Sequence, residues 1–126
     1  MAVSSMTLRP TEDLTERSFK FTCDVYDYCD ELVRLGDLPR RLAFQLFDAA
    51  GSVGANRAEA KSAYSRREFA AKNSLSLKEV REAHFWLRVA DAKSLGNGSL
   101  RHRLLEESNQ LISIYVTAVH SLQHPN

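Results

Sequence analysis

Apolar residues along this chain recur at helical spacing in four successive stretches, separated by turn and cap signals. In the first, about Thr11 to Leu35, the positions Phe21, Val25, Tyr28 and Leu32 trace one face, flanked by Tyr26, Cys29 and Val33. Gly36 follows directly, as expected just past a helix end. Pro39 suits the first turn of a second helix running to about Ala63, with Leu42, Leu46, Ala49 and Val53 inward and Phe47 and Ala50 beside them. Ser65 and Glu68 match a capping box, opening a third helix to about Lys93 whose stripe is Phe69, Asn73, Leu77, Val80, His84 and Leu87. Leu95-Gly96-Asn97-Gly98 is a turn, and Ser99 is a fitting cap for a fourth helix to about Leu122 that buries Leu104, Leu105, Leu111, Ile112, Tyr115 and Val119.

Four amphipathic helices joined by short links make antiparallel neighbours, so the predicted fold is an all-α, up-down-up-down four-helix bundle. The bundle domain spans 11–122, with a flexible tail over 1–10 and a short tail over 123–126. Nothing alternates with strand period for long enough to compete.

Two features depart from a plain bundle. Gly51, Gly54 and Ala55 are small for a helix interior, where each Gly costs up to about 1 kcal/mol against Ala. Close approach of a neighbouring helix is the natural reason, and a kink is the alternative. The second feature is polar. Gln45, Ser52, Asn56 and Glu59 share a stripe of the second helix, and Lys72, Glu79, Glu82 and Trp86 repeat the arrangement on the third. Buried polar groups need partners, so these positions predict a structural network or a subunit interface. Phe85 and Trp86, being adjacent, cannot both point into one core, and one of them is expected to face a neighbouring subunit.

At 126 residues the chain makes one domain with a single core. The formal charge is +1, from 17 basic and 16 acidic residues, so bulk charge does not mark a nucleic-acid binder. A local cluster remains: Arg57 and Lys61 share a face close to Arg66 and Arg67, and these four are the candidate RNA or phosphate contacts. Cys23 and Cys29 lie six apart on one helix, roughly 9 Å along the axis, too far for a disulfide. A reduced, cytoplasmic setting fits, with no secretory signal in Met1–Pro10 and no apolar run of membrane-spanning length.

Catalysis is not indicated. Glu79 and Glu82 form a carboxylate pair without a third group, beside Lys78 and Arg81, which is the pattern of a salt-bridged face. No Glu-x-x-His pair supports a di-metal site, and no phosphate loop, dinucleotide fingerprint or nucleophile constellation occurs. His84 reads as a core histidine with a hydrogen-bond partner, and His102, His120 and His124 as solvated. No metal or cofactor is expected.

Asn56-Arg57-Ala58-Glu59-Ala60, Ser65-Arg66-Arg67-Glu68-Phe69, Ser76-Leu77-Lys78-Glu79-Val80-Arg81-Glu82 and Phe85-Trp86-Leu87 resemble the signature of a bacterial four-helix-bundle protein family. It includes proteins encoded in intervening sequences of large-subunit ribosomal RNA genes, and the accessory variability proteins of diversity-generating retroelements. The resemblance covers roughly Ser18 to Leu122. It implies a homopentamer built around a central channel and, in the retroelement branch, work with a reverse transcriptase and its RNA through a basic surface. Where the family often carries two Arg after the Gln-Leu pair, this chain has Phe47-Asp48. The leading expectation is therefore a non-catalytic oligomeric protein that binds structured RNA or an RNA–protein complex. The alternative is a protein–protein scaffold without nucleic-acid contact, which the near-neutral charge and Asp48 favour.

Overall fold

The structure is a computed structural model describing residues 10–123, with side chains from 14 to 122. The tails expected over 1–10 and 123–126 lie outside the described residues, apart from Pro10 and Gln123 at the helix ends. Four helices make up the described chain: α1 Pro10–Leu32, α2 Asp37–Ala60, α3 Arg66–Ala92 and α4 Gly98–Gln123. Each packs against the next in sequence, and α1 meets α4 more loosely to close the ring. Among the described residues, no backbone approach of this kind joins the diagonal pairs.

Local chemistry explains the boundaries. Ser65 caps α3 through its Oγ, which accepts from the Glu68 amide at 3.0 Å, while the Glu68 carboxylate accepts from the Tyr64 amide at 2.8 Å. The cap of α4 is Asn97 and not Ser99: Asn97 Oδ1 accepts from the Leu100 amide at 2.8 Å, starting the helix two residues earlier. At the other end of α3, the amides of Leu95 and Ser94 bond back to Ala90 and Asp91, a Schellman closure in which Ser94 holds φ 53°.

The core is apolar and continuous. Leu14, Phe21, Val25, Tyr28 and Leu32 from α1 meet Leu42, Leu46, Ala49, Ala50 and Val53 from α2, with Val80, Ala83, Leu87 and Ala90 opposite. Leu104, Leu111 and Tyr115 complete it from α4. Tyr26 and Phe47, expected beside the core stripes, instead meet edge to face at 5.8 Å on the outside, 58% and 37% exposed. Helical period assigns residues to a face, but the neighbour's breadth decides how far around that face burial reaches.

α2 runs unbroken through its glycines. A Cβ on Gly54 would stand 2.9 Å from Thr22 Oγ1 and 3.5 Å from the Ser18 carbonyl, so close approach to α1 explains that glycine. Gly51 has nothing within 4 Å of such a Cβ, so no packing among the described residues explains it.

A polar layer inside the bundle

The buried polar residues are Ser18, Arg57, Asn73, Ser76, Arg101 and Ser108. Each finds a partner, and no buried side-chain polar atom among the described residues lacks one. Ser18 Oγ and Tyr115 Oη lie 2.6 Å apart across the α1–α4 seam. Ser76 Oγ donates to the Val53 carbonyl at 2.9 Å, and Thr22 Oγ1 to the Ala50 carbonyl at 2.7 Å. At the α3–α4 turn, Arg101 reaches Asp91 at 2.8 Å and the Leu95 carbonyl at 2.6 Å, a carbonyl that also accepts from Tyr28 Oη. The Arg101 hydrogen bond holds the Asp91 carboxyl below its usual range.

Candidate functional site

Of the four cations grouped by sequence, the structure parts one from the rest. Arg57 is 5% exposed and turned inward, donating to Asn73 Oδ1 at 2.6 Å and to Thr15 Oγ1 at 3.0 Å, with its guanidinium 5.6 Å above the Phe69 ring. Burial pulls its pKa below the ordinary arginine value, and Tyr115 works in the opposite direction. The role expected for Arg57 at an RNA surface therefore gives way to one inside the bundle. The spacing that sets Arg57 on the face of Lys61 is intact; α1 covers the inner part of that face.

Lys61, Arg66 and Arg67 stay exposed around the α2–α3 turn. None has an ion-pair partner among the described residues. The same holds farther along α3 for Lys78 and Arg81, whose sequence neighbours Glu79 and Glu82 make them the expected salt-bridge partners, and for Arg88. The signal that could have found them is their three- and seven-residue spacing, which places them together on the outward side of α3.

The polar stripe of α2 and α3 lies along the outer edge of the contact between those helices, not in the core. Glu59 is exposed and accepts from Lys72 Nζ at 2.6 Å, a bond that raises the Lys72 pKa. Glu82 accepts from Trp86 Nε1 at 3.2 Å, and the half-buried indole rests against the core. Asn56 donates to its own helix at the Ser52 carbonyl, 2.9 Å away. Gln45 is exposed and Glu79 half-buried, and no described side chain bonds to either. Within one chain the stripe is thus two separate pairs and not a single network. Of the adjacent rings, Phe85 is the outward one, 52% exposed and 5.0 Å from Trp86.

A cavity of about 620 Å³ opens at the end of the bundle that carries the α2–α3 turn, lined by Leu14, Phe69, Ile114 and Leu122 with Arg57 and Lys61 at its wall. On the α3–α4 side, His84 Nδ1 lies 2.7 Å from Ser108 Oγ, and burial followed by the Arg88 charge lowers its pKa. Among the described residues no group of three His, Cys, Asp or Glu is placed to hold a metal, and no helix is long and apolar enough to cross a membrane.

Comparison with known proteins agrees with this architecture. Residues 12–116 match the 23S rRNA-intervening sequence protein family. No curated protein matches the chain. Among solved structures, a protein with unknown function from the S23 ribosomal protein family of Bacteroides thetaiotaomicron superposes with a TM-score of 0.75 at 21% identity, covering 83% of this chain and 96% of the other. At that identity the likeness speaks for the fold alone.

Proposed function

The chain belongs to the 23S rRNA-intervening sequence protein family, and from that premise we propose that it is a non-catalytic, oligomeric binding protein for structured RNA or an RNA–protein complex. The observation that carries the proposal is the set of surface cations without carboxylate partners: Lys61, Arg66 and Arg67 at the α2–α3 turn. Cations already paired gain little from a phosphate, whereas unpaired ones release counterions when they meet one. Repetition around a homopentamer would multiply a patch that is small on one chain.

The test is fluorescence anisotropy with a structured RNA and a matched DNA duplex, titrated across salt. RNA is expected to bind more tightly, and affinity to fall as salt rises. Lys61→Ala and Arg67→Ala should each flatten the logarithmic salt dependence by about 0.7–0.9 if the cation meets one phosphate. Absence of binding at low salt removes the proposal.

One observation favours the scaffold alternative. Phe19, Tyr26, Phe44 and Phe47 form an exposed aromatic band over α1 and α2, and aromatic residues are enriched where proteins meet. A partner retained on this protein after nuclease treatment would support that reading over RNA.

A further inference from the structure

The outward face of α3 combines charge with an aromatic ring. From Lys78, the residues Arg81, Phe85 and Arg88 follow at three, seven and ten positions, a stripe about 15 Å long. α3 meets α2 along the side of Lys72, which pairs with Glu59, and meets α4 along the side of His84, which bonds to Ser108. Phe85 lies between those two sides, on the face turned away from both neighbours. Its ring is not loose: Trp86 abuts it at 74° with centroids 5.0 Å apart, and that indole is tied to Glu82 and packed on the core.

A single exposed Phe needs no explanation. A propped ring flanked at four residues before and three after by unpaired guanidinium groups is a more specific arrangement. Single-stranded nucleic acid is bound in this way, with cations following the phosphates and a base stacking on an aromatic face. An A-form duplex keeps its base faces inside the helix, so a ring at this position gains nothing from it.

We propose that Lys78, Arg81, Phe85 and Arg88 form a stacking site for an unpaired base of an RNA strand. This rests on the RNA-binding reading above, but names another part of the surface and a looped or single-stranded segment as its partner. A contact between copies of this chain is the competing use of Phe85.

Trp86 is the only tryptophan of the chain, so its fluorescence reports on the ring beside it. The experiment titrates the full chain with an unstructured oligouridylate and with a blunt RNA hairpin, following tryptophan emission and anisotropy together. Oligouridylate is expected to change Trp86 emission. Phe85→Leu should abolish that change and weaken oligouridylate binding about 5- to 150-fold, while Phe85→Tyr retains both. Arg81→Gln with Arg88→Gln should weaken binding and reduce its salt dependence. Undiminished oligouridylate affinity in Phe85→Leu overturns the stacking site while leaving RNA binding elsewhere intact. Failure of both RNAs to bind overturns the site and the reading beneath it. A fall in oligomer mass on Phe85→Leu assigns the ring to self-association and likewise overturns the site.

Discussion

Arg57 Nη1 donates to Asn73 Oδ1 at 2.6 Å inside the bundle, so a cation near the end of α2 is fixed by an amide on the second turn of α3. The Nε bond to Thr15 extends the tie to α1. Asn73→Ala removes a buried acceptor from a charged donor and should cost about 2 kcal/mol, read as a lower urea midpoint with unchanged slope. Arg57→Lys should not restore the native value, because an ammonium cannot reproduce the planar fork that serves two directions. The folded fraction should keep its RNA affinity. Lost affinity at full stability would return Arg57 to the binding surface.

The α3–α4 turn offers a gain and a loss. Ser94 holds a left-handed conformation at φ 53°, which glycine adopts without strain. Ser94→Gly should therefore stabilise by about 0.5–1 kcal/mol. Gly96, at φ 67°, has no such freedom to change: a Cβ there would meet Leu32 Cδ1 at 2.7 Å and Tyr28 Cε1 at 3.1 Å. Gly96→Ala should destabilise by about 2 kcal/mol or more. Thermal melts of the two variants should move in opposite directions.

Stability should also depend on pH through His84. Burial, then Arg88, lowers its folded pKa below the unfolded value near 6.5, so the unfolded chain binds its proton more readily. The contribution is complete above about pH 6.5 and is lost as pH falls through the folded pKa. Urea midpoints from pH 7.5 to 5 should drop further for the native chain than for His84→Gln. Parallel curves would remove His84 from the account.

Assembly is the fourth expectation. A homopentamer of a 14.2 kDa chain has a mass of about 71 kDa (five chains of 14.2 kDa) by light scattering. Glu59→Ala should shift the population to smaller species if the Glu59–Lys72 pair borders the subunit contact. A monomer at micromolar concentration refutes the pentamer.

Helix identities were legible in the sequence because each apolar stripe has a clear period and each break has its own chemistry, as at Ser65 and Gly96. Burial of polar residues was not. Arg57 and Lys61 do share a face, yet only Arg57 is covered, because Thr15 and Leu14 come from a helix more than forty residues away. Ser18 gives no local sign that Tyr115 will meet it, since that contact depends on which helices become neighbours. The stripe of Gln45 and Glu59 borders the apolar one, and within one chain that border falls in solvent.

The loose α1–α4 seam has a bearing on the order of events during folding. Its hydrogen bonds join residues 90 to 97 apart in sequence, Arg17 to Glu107 and Gln110, and Ser18 to Tyr115. The other three helix contacts are hairpins between consecutive helices. Closing a long loop costs entropy that the hairpins do not incur, so the hairpins should zip first and the seam should dock after the rate-limiting barrier. Ser18→Ala would then speed unfolding while refolding keeps its native rate, a φ-value near zero.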